Sequence, residues 1–287
     1  MNSTDAIIFV SIILLPTRMN QFIITSYSIL IGLTPLIPIP VLDDLVKAFF
    51  YKDMVRSLAS SYGLALSDAE VAALAEDRGQ GCINGCLIGA VEYFVKRLVR
   101  KIIFVLEWRR TISLVTHTYY VGHLMDHAFR KGWYKPGDVG QAMRLRAAIE
   151  QARGGANTTL VRRVVQTSFD QSRVLVLETV QKISYSLQDI ALRRSRTWLR
   201  RLIAVRLRQR APGLSRWLYR RLRPSDLESA QVAEVENAVA QALEHESPNL
   251  KTRLAQLVAR LQEGLSSLPA GHFETLEERL KNAIKPT

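Results

Sequence analysis

An all-α fold is predicted for this chain by three observations. Apolar residues recur at helical spacing over most of its length, runs of alternating β-branched residues are missing, and Ser, Asp, Gly and Pro stand where helices start and stop. The layout expected is a helical membrane-associated module over residues 1–137, a long helix with an arginine-rich amphipathic segment over 138–223, and a small acidic helical bundle over 224–287.

The elements follow in order. Between Asp5 and Asp43 the one charged residue is Arg18, leaving an apolar run over Ala6 to Leu15 and an uncharged run over Met19 to Leu42. The first is too short to span a bilayer. Pro35, Pro38 and Pro40 leave the second about 15 helical residues, or about 22 Å against a hydrocarbon core of about 30 Å. A short or re-entrant insertion, a hairpin folded at Pro16 to Asn20, and a buried core helix all fit, and insertion is the reading favoured by so long a stretch without charge. No basic residue precedes the first run, which argues against a secretory signal, and Met19 is an alternative start.

Asp43 or Asp44 can cap a helix through Leu45, Phe49, Met54 and Leu58 to about Tyr62, with Gly63 as terminator. Ser67 and Glu70 form a capping-box signature for a short helix ending near Gly79. Gly81, Gly85 and Gly89 then make a doubled G-x-x-x-G, a groove into which another helix can pack closely; a glycine-rich loop is the alternative.

From Phe94 an apolar stripe of Phe94, Val95, Leu98, Val99, Ile102, Ile103 and Leu106 opposes Lys96, Arg97, Arg100 and Lys101, giving a basic amphipathic helix. Its continuation past Trp108, Arg109 and Arg110 to Phe129 ends at the turn-rich stretch Gly132 to Gly137. Gly154 and Gly155 break the chain again. Between Thr158 and Ser195 apolar positions sustain a long helix, about 50 Å if unbroken, leading into the cationic zone.

That zone dominates the electrostatics. Arg193, Arg194, Arg196, Arg200, Arg201, Arg206, Arg208, Arg210, Arg216, Arg220, Arg221 and Arg223 occur with no acidic residue among them, in a chain of formal net charge +13. Trp198, Leu199, Leu202, Ile203 and Leu207 recur there at helical spacing, so the segment suits anionic lipid or nucleic acid. After Pro224 an amphipathic helix is expected over Leu227 to Leu243, a leucine row over Leu250, Leu254, Leu257, Leu261, Leu265 and Leu268, and a last helix from about Phe273 to Ile284. These C-terminal helices are expected to seek a protein partner or to fold back and mask the arginines, in which case deleting Asp226 to Thr287 strengthens vesicle binding.

The segment Pro35-Leu-Ile-Pro-Ile-Pro-Val-Leu-Asp-Asp, then Met54-Val-Arg-Ser-Leu-Ala-Ser-Ser-Tyr-Gly63 and Leu66-Ser-Asp68, resembles the YcjF-like family of bacterial membrane-associated domains, with Thr118-Tyr-Tyr-Val-Gly122 similar to its second half. The resemblance covers about residues 35–130. It implies a helical domain with membrane-embedded hairpin character, at the cytoplasmic face of a bacterial inner membrane, and no catalytic residues to carry over. The charged stretch Lys96 to Arg110 departs from a hairpin arm.

Reactive chemistry is sparse. Cys82 and Cys86 with His123 and His127 are two i, i+4 pairs that could compose a Cys2His2 zinc site, though the spacing is not that of a zinc finger. The cysteines also fit the small-residue groove and the histidines a helix contact. Two cysteines argue for a reducing compartment. Asp126 and His117 could support acid–base work, but no nucleophile motif, P-loop or dinucleotide fingerprint accompanies them. No cofactor is expected. The function expected is non-enzymatic anchoring to anionic membrane lipid through the apolar N-terminus and basic helices, with nucleic-acid binding by residues 193–223 as the alternative.

Overall fold

The computed structural model describes residues 16–36, 42–76, 100–181 and 247–284. Among them the secondary structure is helical throughout: α1 (Pro16–Leu33), a 3-10 turn (Thr34–Leu36), α2 (Leu42–Ser61), α3 (Asp68–Ala75), α4 (Arg100–Arg130), α5 (Val139–Gly154) and α6 (Thr159–Gln171). A helical stretch α7 follows over 173–181, then α8 (Ser247–Ser266), a 3-10 turn (Ala270–His272) and α9 (Glu274–Ile284).

The uncharged run becomes a core helix. Proline lacks the N–H that a first turn leaves unpaired anyway, so Pro16 opens α1, and no hairpin turn forms at Pro16 to Asn20. Ile24, Ile29, Ile31 and Leu33 are buried, chiefly against α4. Among the described residues no helix is long and apolar enough to cross a membrane. Within residues 16–33, Ile24, Ile29, Ile31 and Leu33 pack inside protein, as the core-helix alternative expects, while Met19 and Phe22 are about half exposed.

α1 and α4 run antiparallel and unusually close. Asn20 donates to Asp126 at 2.7 Å, a Cβ on Gly122 would lie 2.9 Å from Ile24 Cγ2, and a Cβ on Gly32 would lie 2.0 Å from Val115 Cγ2. Two glycines, one per helix, thus set the spacing. The small-residue groove expected at Gly81, Gly85 and Gly89 falls outside the described residues.

Helix ends follow local chemistry. Asp43 and Asp44 stand inside the first turn of α2 rather than before it. At the other end Gly63 takes φ +67°, its N–H donating to Ser60 and that of Leu64 to Ala59. Gly132, at φ +65°, closes α4 in the same way, with Gly132 bonded to Phe129 and Trp133 to Ala128. Both are Schellman stops, which need a left-handed residue that glycine supplies without a Cβ clash. The capping box at Ser67 and Glu70 forms, and α3 ends at Ala75 rather than near Gly79.

The long helix expected from Thr158 is interrupted. Val161, Val165 and Phe169 bury one face of α6, but Arg260 reaches in from α8 to donate to Ser172 Oγ at 2.8 Å and to the Gln171 carbonyl at 3.4 Å. Beside this contact the Ser172 backbone leaves helical values, at φ −108° and ψ 18°, although its N–H still donates to Ser168 and its carbonyl accepts from Val176, and helix resumes at 173. The leucine row forms α8, with Leu257, Leu261 and Leu265 buried, and the last helix forms as α9 with Leu276 and Leu280 buried.

Helices from all three expected segments share one core: α8 packs on α6 and α1, and α9 on α5 and α4. The C-terminal leucines meet partners within the chain. Deleting Asp226 to Thr287 therefore also strips Leu257, Leu261, Leu265, Leu276 and Leu280 from the core, and it does not isolate charge masking.

Candidate functional site

Around α4 the fold gathers its ionisable groups. Because Tyr120, His123, His127 and Arg130 recur three or four residues apart, they share the face of α4 that meets the C-terminal turn and α9. Phe273 packs on His123 with ring centroids 4.3 Å apart and also contacts Tyr119, Tyr120 and His272. The Tyr120 hydroxyl and His272 Nε2 are 2.9 Å apart.

One carboxylate oxygen serves two imidazoles. Glu277 Oε1 lies 3.2 Å from His123 Nε2 and 3.0 Å from His127 Nδ1. Arg130 Nη2 approaches the same His127 nitrogen at 3.2 Å and Glu277 at 3.9 Å. When that nitrogen carries a proton it can donate to Glu277; without one it accepts from Arg130. His127 is thus poised between an acid and a base, on a contact that holds α9 in place.

Burial holds the His127 pKa below its ordinary value, an effect that Glu277 opposes and that Arg130 and His123 reinforce. His272 is likewise lowered by burial, then by His123. Glu277 is lowered by its hydrogen bond with His123 against the opposing effect of burial.

The sign of the pH dependence follows. Both histidines bind protons less readily when folded, so acidification below the ordinary imidazole value of 6.5 favours release of α9. Glu277, ordinarily 4.5, adds a second loss in the same direction at lower pH. Hydrogen exchange within 274–284 is therefore expected to accelerate as pH falls from 7 through 5 beyond its intrinsic pH trend, and His127→Gln with His272→Gln is expected to remove that first step. An unchanged step in the double variant would refute the assignment.

A second constellation lies at the start of α3. Glu70, buried at 2% exposure, accepts from the Tyr134 hydroxyl at 2.5 Å, the Gly137 N–H at 2.8 Å, and the Ser67 N–H and hydroxyl at 2.9 and 2.7 Å. Led by Tyr134, these donors hold its carboxyl down at about 2. It is a structural knot, tying the start of α3 to the turn after α4.

The residues singled out for acid–base work are separated by their partners. Asp126 accepts from Asn20 and from Tyr62, whose hydroxyl is pushed up to about 12 by burial and then by Asp126. His117 instead lies 3.8 Å from Glu150, which also pairs with the buried Arg146 at 2.9 Å and with Arg153 at 2.8 Å. Arg146 in turn donates to the Glu76 carbonyl, so this network joins α3, α4 and α5.

Of the proposed zinc ligands, His123 and His127 belong to the Glu277 contact, and Cys82 and Cys86 lie outside the described residues. Among the described residues no group of three or more His, Cys, Asp or Glu is placed to hold a metal ion. A depression of about 460 Å³ lined by Met19, Arg56, Ser57, Ser60 and Ser61 is open to solvent, and its arginine pairs with Asp68 at 2.9 Å.

The cationic candidates divide similarly. Arg100 and Lys101 begin α4, whereas Lys96, Arg97 and the arginines from Arg193 to Arg223 lie outside the described residues. Leu106, assigned from sequence to the apolar stripe, is 59% exposed instead of packed. Glu277 and His272 were not anticipated, because their contacts with α4 span about 150 residues and leave no local spacing to read, whereas Arg130, three residues after His127, was legible and overlooked. Comparison with protein-family models, with curated proteins and with solved structures finds no match.

Proposed function

We propose that this protein is a non-enzymatic helical platform that docks on anionic membrane lipid through its arginine-rich segment. The observation that carries the reading is the pattern of residues 193–223: twelve arginines, no acid, and Trp198, Leu199, Leu202, Ile203 and Leu207 at helical spacing. A phosphodiester backbone attracts the arginines but has no use for an apolar stripe, whereas a bilayer interface takes both. The resemblance to YcjF-like domains points the same way.

The described helices support this by offering a base. Arg253 at the start of α8 pairs with Glu178 of α7, so the chain on either side of the cationic stretch is joined near 178 and 253. Within residues 16–33 several apolar side chains pack on protein, so this reading rests chiefly on the basic element.

Full-length protein is expected to sediment with vesicles containing phosphatidylglycerol and not with pure phosphatidylcholine. At about 1 kcal/mol per basic residue near an anionic surface, replacing Arg200, Arg201, Arg206 and Arg208 by Gln weakens binding on the order of 100-fold to 1000-fold. Binding to single-stranded nucleic acid with no affinity for the anionic vesicles would replace this reading with the alternative.

A further inference from the structure

The first two turns of α1 leave an apolar edge open. Met19 is 50% exposed and Phe22 48%, although Ile24, Ile29, Ile31 and Leu33 farther along the same helix are buried. Residues three apart are neighbours on a helix surface, so these two side chains stand together on α1. Met19 also lines the depression it shares with Arg56, Ser57, Ser60 and Ser61 of α2, which sets the edge beside a polar rim. The rim carries little free charge. Arg56 pairs with Asp68, Ser57 lies 3.3 Å from the Tyr27 hydroxyl that donates to Asp53, and Ser61 donates to the Leu58 carbonyl.

The chain that leads into this edge is a second observation. The apolar run Ala6 to Leu15 ends at Pro16, the first residue of α1 and one turn before Met19, and no charged residue falls between Asp5 and Arg18. A run this short does not span a bilayer, but it suits a segment lying at the boundary of one. The arginine segment leaves from elsewhere. Asn20 of α1 meets Asp126 near the end of α4, whereas Asp170 and Arg173, from which the chain continues toward residues 193–223, meet Trp108 near its start. Those two places are about 27 Å apart along α4.

We infer that Met19 and Phe22, together with the apolar run that leads into them, make a second contact with the bilayer, through apolar burial at the headgroup boundary and not through charge. The inference rests on the membrane-surface reading above and gives this contact its place on the fold. Half-exposed methionine and phenylalanine side chains can enter the acyl fringe while α1 stays packed, with Arg56 and the serines left among the headgroups. A single weak signal holds a protein to a membrane only marginally. Two on one chain reinforce each other, since arrival of either raises the effective concentration of the other.

The experiment uses the full chain with phosphatidylglycerol/phosphatidylcholine vesicles and two variants. Met19→Gln with Phe22→Gln replaces half-exposed side chains by a good helix former, so circular dichroism and the unfolding midpoint are expected to stay near wild type. Phe22→Cys, in a background of Cys82→Ser and Cys86→Ser, carries an environment-sensitive bimane. Three results are expected: the wild type binds vesicles, the double glutamine variant binds about ten-fold more weakly by the same factor at low and high salt, and the bimane shifts to the blue on vesicles. Wild-type binding with an unaffected double variant and a bimane still in water overturns this contact and leaves the arginine-segment reading standing. A bimane already shielded in buffer and unmoved by vesicles overturns it too, and assigns the edge to a protein contact. Absence of wild-type binding to the charged vesicles overturns both.

Discussion

Gly32→Val is expected to lower the unfolding midpoint by roughly 8 °C, from about 3 kcal/mol of lost stability. Helix interiors disfavour glycine by about 1 kcal/mol relative to alanine, so its presence inside α1 calls for a compensating contact. That contact is Val115: an added Cβ would stand 2.0 Å from its Cγ2 and 3.3 Å from its backbone nitrogen. That methyl is held by the one χ1 rotamer valine favours in a helix, and rotating it would leave Val115 Cβ at 3.2 Å, so the helices must separate. Separation also stretches the Asn20 to Asp126 hydrogen bond farther along the same interface. Gly63→Ala is the informative control, since nothing lies within 4 Å of a Cβ there and its cost is the left-handed φ alone. If thermal unfolding of Gly32→Val matches wild type, close approach does not hold this interface.

Glu70→Ala is the second large effect, about 3 kcal/mol by urea unfolding at neutral pH. The carboxylate is buried and accepts from Tyr134, Gly137 and Ser67, and its removal strands those donors where water has poor access. Tyr134 itself is fully buried and raised by burial and by Glu70, so its hydroxyl keeps its proton and has no other acceptor among the contacts of this knot. The pH dependence has a definite sign. A folded value near 2 against an ordinary 4.5 means that the stabilisation is complete above 4.5 and disappears as pH falls toward 2. Glu70→Gln keeps the shape and loses this dependence. Equal acid sensitivity of wild type and Glu70→Gln would show that the knot contributes nothing through its charge.

Elements governed by nearest neighbours were legible in the sequence. Gly63 and Gly132 ended helices because only a left-handed residue closes a Schellman turn, and Ser67 with Glu70 announced α3 because the box is completed within four residues. The last two helices were readable from leucine spacing. What escaped was whatever depends on distant chain. The break at Ser172 sits against Arg260, 88 positions away, and the close-packed glycines are Gly32 and Gly122, which carry no motif on either helix alone. Likewise an uncharged run suits lipid and protein interior equally, and its packing on α4 cannot be read from the run itself. The histidine pair was visible as i, i+4 spacing, but its acid was not, since Glu277 lies on another helix.

The ion pair between Glu178 and Arg253 has a bearing on how this chain can change over time. The entropy of closing a loop grows only logarithmically, about 0.6 kcal/mol for each doubling in length. As far as loop closure alone is concerned, the length of chain joining those two positions is a cheap variable for selection.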